Sequence, residues 1–363
     1  MNFGLLYELQ MPKPWSENRE SETFFQAIDQ IVLAESRGFS HCWCVEHHML
    51  PEWSHSSAPE VFLAALSQRT SRIRLGHGIA LLPKNFNHPI RVAERAAALD
   101  ILSRGRLDLG TGRSVTVAEL DGFGVDPADS RPMWEEAVRM IPRMWRDELF
   151  EHHGRFFDIP PRDIVPKPVQ KPHPPLWMAG TNPETFEIAG RFGIGMLGFV
   201  VGTPEGTKPR IEAYHRAIQQ ADPAGAFVNE QVAILLNVHC APTDEQALAE
   251  AAGPVAWMQK TNAALFQPLR DNRVPGYETY WDLAHASDAT EETRRAEAPQ
   301  LSQLVENGVY AVGSPATCRR VIQRYKDIGA DQVICWFQFG GLPHEKIMAS
   351  IELFGREVLP EFA

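Results

Sequence analysis

Five cysteines among 363 residues are too few, and too scattered, to frame a disulfide-bonded fold. Cys42, Cys44, Cys240, Cys318 and Cys335 form an odd set without a CxxC pair, so reduced, buried thiols are expected. Long apolar runs are missing too: no stretch reaches the roughly 18 apolar residues of a membrane helix. The opening Met-Asn-Phe-Gly-Leu-Leu-Tyr has neither the basic start nor the long apolar core of a secretory signal. Positive charge is scarce. The 35 Lys and Arg face 46 Asp and Glu, a net charge of −11. Nucleic acids and anionic membranes both favour basic surfaces, so neither is an expected partner. There is no Walker loop, no complete dinucleotide fingerprint and no HExxH. His77, His88 and His239 show no metal-ligand spacing, and no metal is expected. What these absences leave is the expectation of a cytoplasmic protein.

What is present is an apolar fraction of 44 %, in a repeating order. Short apolar runs alternate with segments of helical spacing. Residues 3–6, 41–45, 73–82, 106–109, 176–179, 195–200, 232–240 and 332–337 read as strands. One strand per helix, about eight times over, predicts an α/β fold with a parallel sheet closed into a (β/α)8 barrel. A single domain over residues 1–363 is expected. Two stretches break the rhythm. Proline-rich 158–175 cannot be a continuous helix or a central strand. Residues 251–307 follow the seventh strand and carry Trp257, Phe266, Tyr277, Tyr280 and Trp281 among many charges. Active sites form at the C-terminal face of a barrel, so this insertion is read as a lid. Helical cladding on the barrel's outside is the alternative.

Three motifs suit chemistry. Glu46-His47-His48 follows the second strand directly, where a barrel displays catalytic groups, and histidine transfers protons near neutrality. From the residues alone, catalysis and an ordinary surface loop both stay open. The segment Gly105-Arg-Leu-Asp-Leu-Gly-Thr-Gly-Arg113 reads as a strand ending in a glycine-rich turn. Glycines let backbone approach a phosphate, and Arg113 can grip it bidentately. Leu176-Trp-Met-Ala-Gly-Thr-Asn-Pro183 runs through Met178, Ala179 and Gly180 to a helix cap at Thr181 or Asn182. Free amides at such a helix start attract a phosphate. A plain turn and a plain cap are the alternatives. Aromatics near the expected strand ends (Tyr7, Trp43, Trp53), with Met49 and those of the insertion, suit an apolar or aromatic ligand.

Taken in order, these pieces resemble the bacterial luciferase-like family of flavin monooxygenases. The matching segments are Val45-Glu46-His47-His48, Gly78-Ile-Ala-Leu-Leu-Pro83, Asn87-His88-Pro89, Leu102-Ser-Arg-Gly-Arg106 with Gly112-Arg113, Met178-Ala-Gly-Thr181, and Gly340-Gly-Leu-Pro-His-Glu-Lys346. They span nearly the whole chain. The resemblance implies a TIM barrel, usually a homodimer, that binds reduced FMN at the strand ends. It implies His47 as the catalytic histidine, with Glu46 beside it at the cofactor. Arg113 matches the phosphate-binding arginine, and Ala179, Gly180 and Thr181, after Met178, match a second phosphate loop. A non-proline cis peptide, or a bulge, beneath the flavin ring falls at Gly78-Ile79. The family's mobile lid falls on 251–307. Where luciferase has a cysteine before the arginine, Gly112 stands here, and Gly180 and Thr181 replace an acidic residue and a serine. Gly112 argues against light emission, and the fewer charges in the loop leave the phosphate contact to amides and Thr181.

The implied function is a two-component monooxygenase. An NAD(P)H:flavin reductase supplies FMNH2, and O2 oxygenates a small organic substrate while His47 manages a proton. Tyr7, His48, Trp257, Tyr277, Tyr280 and Trp281 are the expected substrate and lid contacts. The rivals are F420-dependent hydride transfer on the same fold, a non-catalytic flavin-binding protein, and a metal-dependent barrel hydrolase.

Overall fold

A computed structural model describes residues 1–199, 202–271, 274, 277 and 300–362. The strands are β1 (Asn2–Tyr7), β2 (His41–Cys44), β3 (Arg74–Leu81), β4 (Leu107–Gly112), β5 (Phe150–His153), β6 (Asp158–Arg162), β7 (Leu176–Gly180), β8 (Gly195–Phe199), β9 (Val232–Cys240), β10 (Ala311–Gly313) and β11 (Gln332–Trp336). The helices are α1 (Arg19–Ser36), α2 (Pro59–Ser67), α3 (Pro89–Leu102), α4 (Val117–Gly122), α5 (Pro127–Arg146), α6 (Pro183–Arg191), α7 (Pro204–Ile218), α8 (Asp244–Asp271), α9 (Leu301–Glu306), α10 (Pro315–Asp327) and α11 (His344–Glu357). Several helices begin with one device. A polar side chain caps the first turn and proline follows it, as at Asp126, Asn182, Thr203 and Ser314.

Eight parallel strands close into the expected barrel, in the order β1, β2, β3, β4, β7, β8, β9, β11 and back to β1. Val200, read as the end of a strand, lies outside the described residues. β5 and β6 form a separate antiparallel hairpin, which takes up the start of the proline-rich stretch. β10 and α11 add to the predicted elements: β10 carries no clear sequence signal, whereas α11 has helical spacing at Ile347, Ile351 and Phe354. β10 is three residues long and pairs only with the far end of β9. α11 packs against α1, and its Phe354 meets Phe3 of β1.

Period-2 alternation sorts the strand residues. Trp43 on β2 and Trp177 on β7 belong to strands that are not neighbours, yet their rings meet edge-on at 5.2 Å. Contact across the sheet places both inside the barrel. Trp43 Nε1 donates to Gln332 Oε1 at 2.9 Å, and Trp177 Nε1 to Asp108 Oδ1 at 3.1 Å. Gly76 makes the room, since a Cβ there would sit 2.1 Å from the Trp43 ring. Together they fill the barrel under its C-terminal mouth. On β1 the same alternation turns Gly4 and Leu6 inward and Phe3, Leu5 and Tyr7 toward the helices, where Phe3 meets Phe354.

β3 is irregular. Its pairing with β4 shifts between His77 and Ala80, leaving Gly78 and Ile79 in a bulge. Of the two expected irregularities at Gly78-Ile79, the structure has the bulge; among the described residues, cis peptides occur only before prolines. The bulge also accounts for the glycines of β4. A Cβ on Gly110 would lie 2.0 Å from the His77 carbonyl oxygen, and one on Gly112 would lie 2.4 Å from Ile79 Cδ1. The glycine-rich segment is therefore strand through Gly112, and its glycines admit the bulge. The expected turn comes later, at Ser114, whose φ is 65°. All five cysteines are buried and free. Among the described residues no helix is long and apolar enough to cross a membrane, and no three His, Cys, Asp or Glu side chains cluster as a metal site.

Candidate active site

A cavity of about 480 Å³ opens at the C-terminal ends of the strands. His47 lines it, and the two residues beside His47 hold the loop. Glu46 Oε2 accepts the Leu81 N–H at 2.8 Å, and its Oε1 accepts from Asn87 Nδ2 at 2.8 Å. That carboxylate thus ties β2 to the end of β3. His48 Nε2 lies 3.1 Å from Glu46 Oε1, and its ring packs on Phe86 and Phe123. His48, expected among the substrate contacts, does not line the cavity.

His47 is gripped from behind. Its Nδ1 lies 2.9 Å from Glu119 Oε1, which also accepts the His48 N–H at 2.9 Å. Ser114 and Thr116 hydroxyls donate to Glu119 Oε2 at 2.8 and 2.6 Å. A carboxylate with this many donors stays ionised. Burial alone would raise the Glu119 pKa, but His47 and these donors hold it down at about 2. Burial likewise pulls His47 down, and the carboxylates of Glu119 and Glu8 overcome it, raising His47 to about 9. At neutral pH His47 is therefore an imidazolium. Glu119 holds Nδ1–H, and Nε2 is left 3.8 Å from Glu8 Oε2. Glu8 also lines the cavity, and burial lifts its carboxyl to about 7 against the pull of His47.

Arg113 lines the cavity beside Thr181. Its Nη1 donates to Ser130 Oγ at 3.0 Å, and its guanidinium lies 4.3 Å from the centre of the Tyr277 ring. Tyr277 OH in turn donates to the Ser114 carbonyl at 3.1 Å. Arg131 is close enough for burial and the Arg113 charge to lower its pKa, and its Nη1 is buried without a hydrogen-bond partner. Asn182 is the cap of α6, accepting the Thr185 N–H at 2.8 Å. Gly180 packs against Thr185, where a Cβ would come within 2.2 Å.

The sequence of the chain matches the Luciferase-like monooxygenase family over residues 1–332. The chain belongs to this family. Among luciferase-like relatives, it is 26 % identical to the oxygenase component of a flavin-dependent trigonelline monooxygenase from Acinetobacter baylyi, over all of this chain and 96 % of that one. Monooxygenase RslO1 from Streptomyces bottropensis superposes with a TM-score of 0.78 at 26 % identity, over 100 % of both chains. The oxygenating constituent of 3,6-diketocamphane monooxygenase from Pseudomonas putida, in complex with FMN, gives 0.77 at 22 %, covering 99 % of this chain and 98 % of that one. A coenzyme F420-dependent tetrahydromethanopterin reductase from Methanopyrus kandleri gives 0.72 at 20 %, over 100 % and 99 %. The last two share the luciferase-like fold.

Of the residues singled out by sequence, Glu46, His47, Gly78, Ile79, Arg113, Met178, Ala179, Gly180, Thr181 and Tyr277 line this one cavity. Tyr7 and Trp257 do not. Tyr7 shares a face with Phe3 and Leu5, and Trp257 packs against the core while its neighbours Met258 and Gln259 reach the cavity. Tyr280 and Trp281 lie outside the described residues. Glu8 and Glu119 are the additions. Glu119 left a trace in Thr116-Val-Ala-Glu119, the spacing of a capping box, and Thr116 does cap α4. Its carboxylate, however, is turned to His47. Glu8 left only its alternation with Leu6 on β1.

Proposed function

We propose that this chain is the oxygenase of a two-component flavin monooxygenase, taking reduced FMN from a separate NAD(P)H:flavin reductase. The observation that carries the reading is that His47, fixed by Glu119, and the guanidinium of Arg113 line the same cavity. Arg113 and the loop Ala179–Thr181 suit a phosphate, and Arg131, close to Arg113 with its Nη2 held by Glu184, has a buried Nη1 without a hydrogen-bond partner. Gly78 and Ile79 of the bulge, with Glu46 and Met178, border the space left for a planar ring system. When bound, reduced FMN supplies the electrons that activate O2.

The chain's own residues do the rest. His47 Nε2 holds a proton toward the cavity, ready for a group that gains negative charge, while Glu119 fixes the ring and restores its charge preference. The helix α8 covers the cavity with Met258, Ala263, Leu265 and Phe266. That cover excludes water from the reacting groups, and residues 251–271 form the part of the expected lid that lies within the described residues. The substrate is a small organic molecule. We place the protein in the cytoplasm, which its five free, buried thiols support, and read it as a homodimer by its family.

Fold likeness to an F420-dependent enzyme makes deazaflavin the second reading. Anaerobic titration of the purified chain with FMNH2 and with reduced F420, followed by O2 uptake, separates them. Selective FMNH2 binding with O2 consumption is expected. Selective F420 binding without O2 consumption would replace the proposal, and flavin retention without turnover would reduce the chain to a flavin-binding protein.

A further inference from the structure

The cavity has two unlike halves. Going round the barrel, β3, β4 and β7 bring Gly78, Ile79, Arg113 and Thr181, the half assigned above to the flavin. On the other side, β9, β11 and β1 bring Leu235, Trp336 and Glu8, and the loop after β2 adds Leu50 and Trp53. Trp53 and Trp336 meet edge-on, with ring centres 5.9 Å apart at 78°. This second half is mainly an aromatic and aliphatic wall, with Asn237 of β9 also at the cavity.

Glu8 interrupts that wall. It is 4 % exposed, and its Oε2 is buried without a hydrogen-bond partner. The nearest cationic nitrogen, His47 Nε2, is 3.8 Å away, beyond a hydrogen bond. Ser54, the adjacent hydroxyl, is near enough to the Glu8 carboxyl to pull its pKa down, but its proton goes to the Glu8 backbone carbonyl at 2.8 Å. A buried carboxyl costs stability unless something satisfies it. Packing alone does not require it, since the inward residue two positions earlier, on β1, is Leu6.

We propose that Glu8 is a substrate-recognition group: it accepts a hydrogen bond from a hydroxyl or N–H on a substrate whose otherwise apolar, ring-sized body rests on Leu50, Trp53 and Trp336. That contact sets the donor group of the substrate beside His47 and so orients the molecule toward the flavin half. The division of the cavity rests on the flavin reading; the donor preference at Glu8 does not.

Two probes of one shape test it on the full-length chain without flavin. p-Cresol carries a hydroxyl donor, and 4-methylanisole replaces that hydrogen with methyl. Binding is followed by tryptophan fluorescence, with Trp53 and Trp336 in the wall as reporters. p-Cresol is expected to bind about tenfold tighter. Glu8→Gln, whose amide oxygen still accepts, keeps the preference; Glu8→Leu brings the two probes within about twofold. Circular dichroism melts check the fold, and Glu8→Met serves if Glu8→Leu does not fold. Equal affinities in the parent chain, a preference that survives Glu8→Leu, or no saturable binding of either probe each overturns the proposal. FMN affinity is titrated separately. A donor preference without FMN binding sinks the flavin reading alone, and FMN binding without the preference sinks the role of Glu8 alone.

Discussion

Nδ1 of His47 lies 2.9 Å from Oε1 of Glu119, a residue 72 positions further along the chain. The same oxygen holds the backbone N–H of His48, so one buried carboxylate sets both the position and the charge of the histidine at the cavity wall. Five predictions follow from this and neighbouring contacts.

Replacing Glu119 with Gln removes the charge that opposes burial at His47. The His47 pKa, about 9 in the parent chain, should fall to or below its ordinary 6.5. Titration of labelled imidazole by NMR reads this directly, and a value still near 9 would show that Glu119 is not the cause. The stability signs are opposite for the two partners. The raised His47 pKa gives stability that is complete below 6.5 and lost as pH rises through about 9. The lowered Glu119 pKa gives stability present above 4.5 and lost as pH falls through about 2. Urea denaturation near pH 6 should therefore show the largest deficit for Glu119→Gln, about 3 kcal/mol for a broken buried pair.

Glu8 works in the other direction. Its folded pKa is raised from 4.5 to about 7, so its contribution is complete below 4.5 and lost as pH rises through about 7. At about 1.4 kcal/mol per pKa unit, ionising Glu8 costs the fold about 3 kcal/mol by pH 8. Glu8→Gln should be more stable than the parent at pH 8 and about equal at pH 4.5. Parallel urea melts at both values check it, and equal stabilities at pH 8 would refute the unsatisfied charge.

Gly110→Ala sets a methyl group against the His77 carbonyl oxygen at the β3 bulge. Overpacking of this kind costs about 1–3 kcal/mol. A thermal melt should show a clear drop in Tm. Weaker FMN binding in the same variant would link the bulge to the cofactor.

Arg113→Ala should weaken FMN by about 10–100-fold, the loss of a charge-assisted contact. Riboflavin, which lacks the phosphate, should bind parent and variant alike. An equal loss for both ligands would move Arg113 from phosphate binding to general support of the cavity.

His47→Ala should abolish coupled oxygenation while FMN affinity stays within about threefold. Product analysis alongside O2 uptake separates coupled from wasteful turnover. Unchanged product formation would remove His47 from the chemistry.

Much of the barrel was legible because its signals are local. Strand and helix periods, proline-led helix starts and loop residues at strand ends are read within a dozen neighbours, and they were enough to bring His47, Arg113 and Gly180 to one face. β10 and the bulge of β3 escaped these local signals because they are short or irregular. β10 has three residues, too few for a period, and the glycines of β4 resemble a phosphate turn until β3 is laid beside them. Tyr7 lies at a strand end yet faces the helices; proximity along the chain does not say which face a side chain takes.

By itself, the sequence determined the order of elements, the absence of a membrane-length apolar run and the placing of His47 at the end of β2, since all three follow from composition and short-range pattern. Only the tertiary structure decided that His47 is a cation, that Glu8 and Glu119 flank it, and that Gly110 exists for the sake of His77. Each of those depends on residues brought together by closure of the barrel. The electrostatics at such contacts depend on burial and on distances of a few ångströms, and neither is written in the local order of residues.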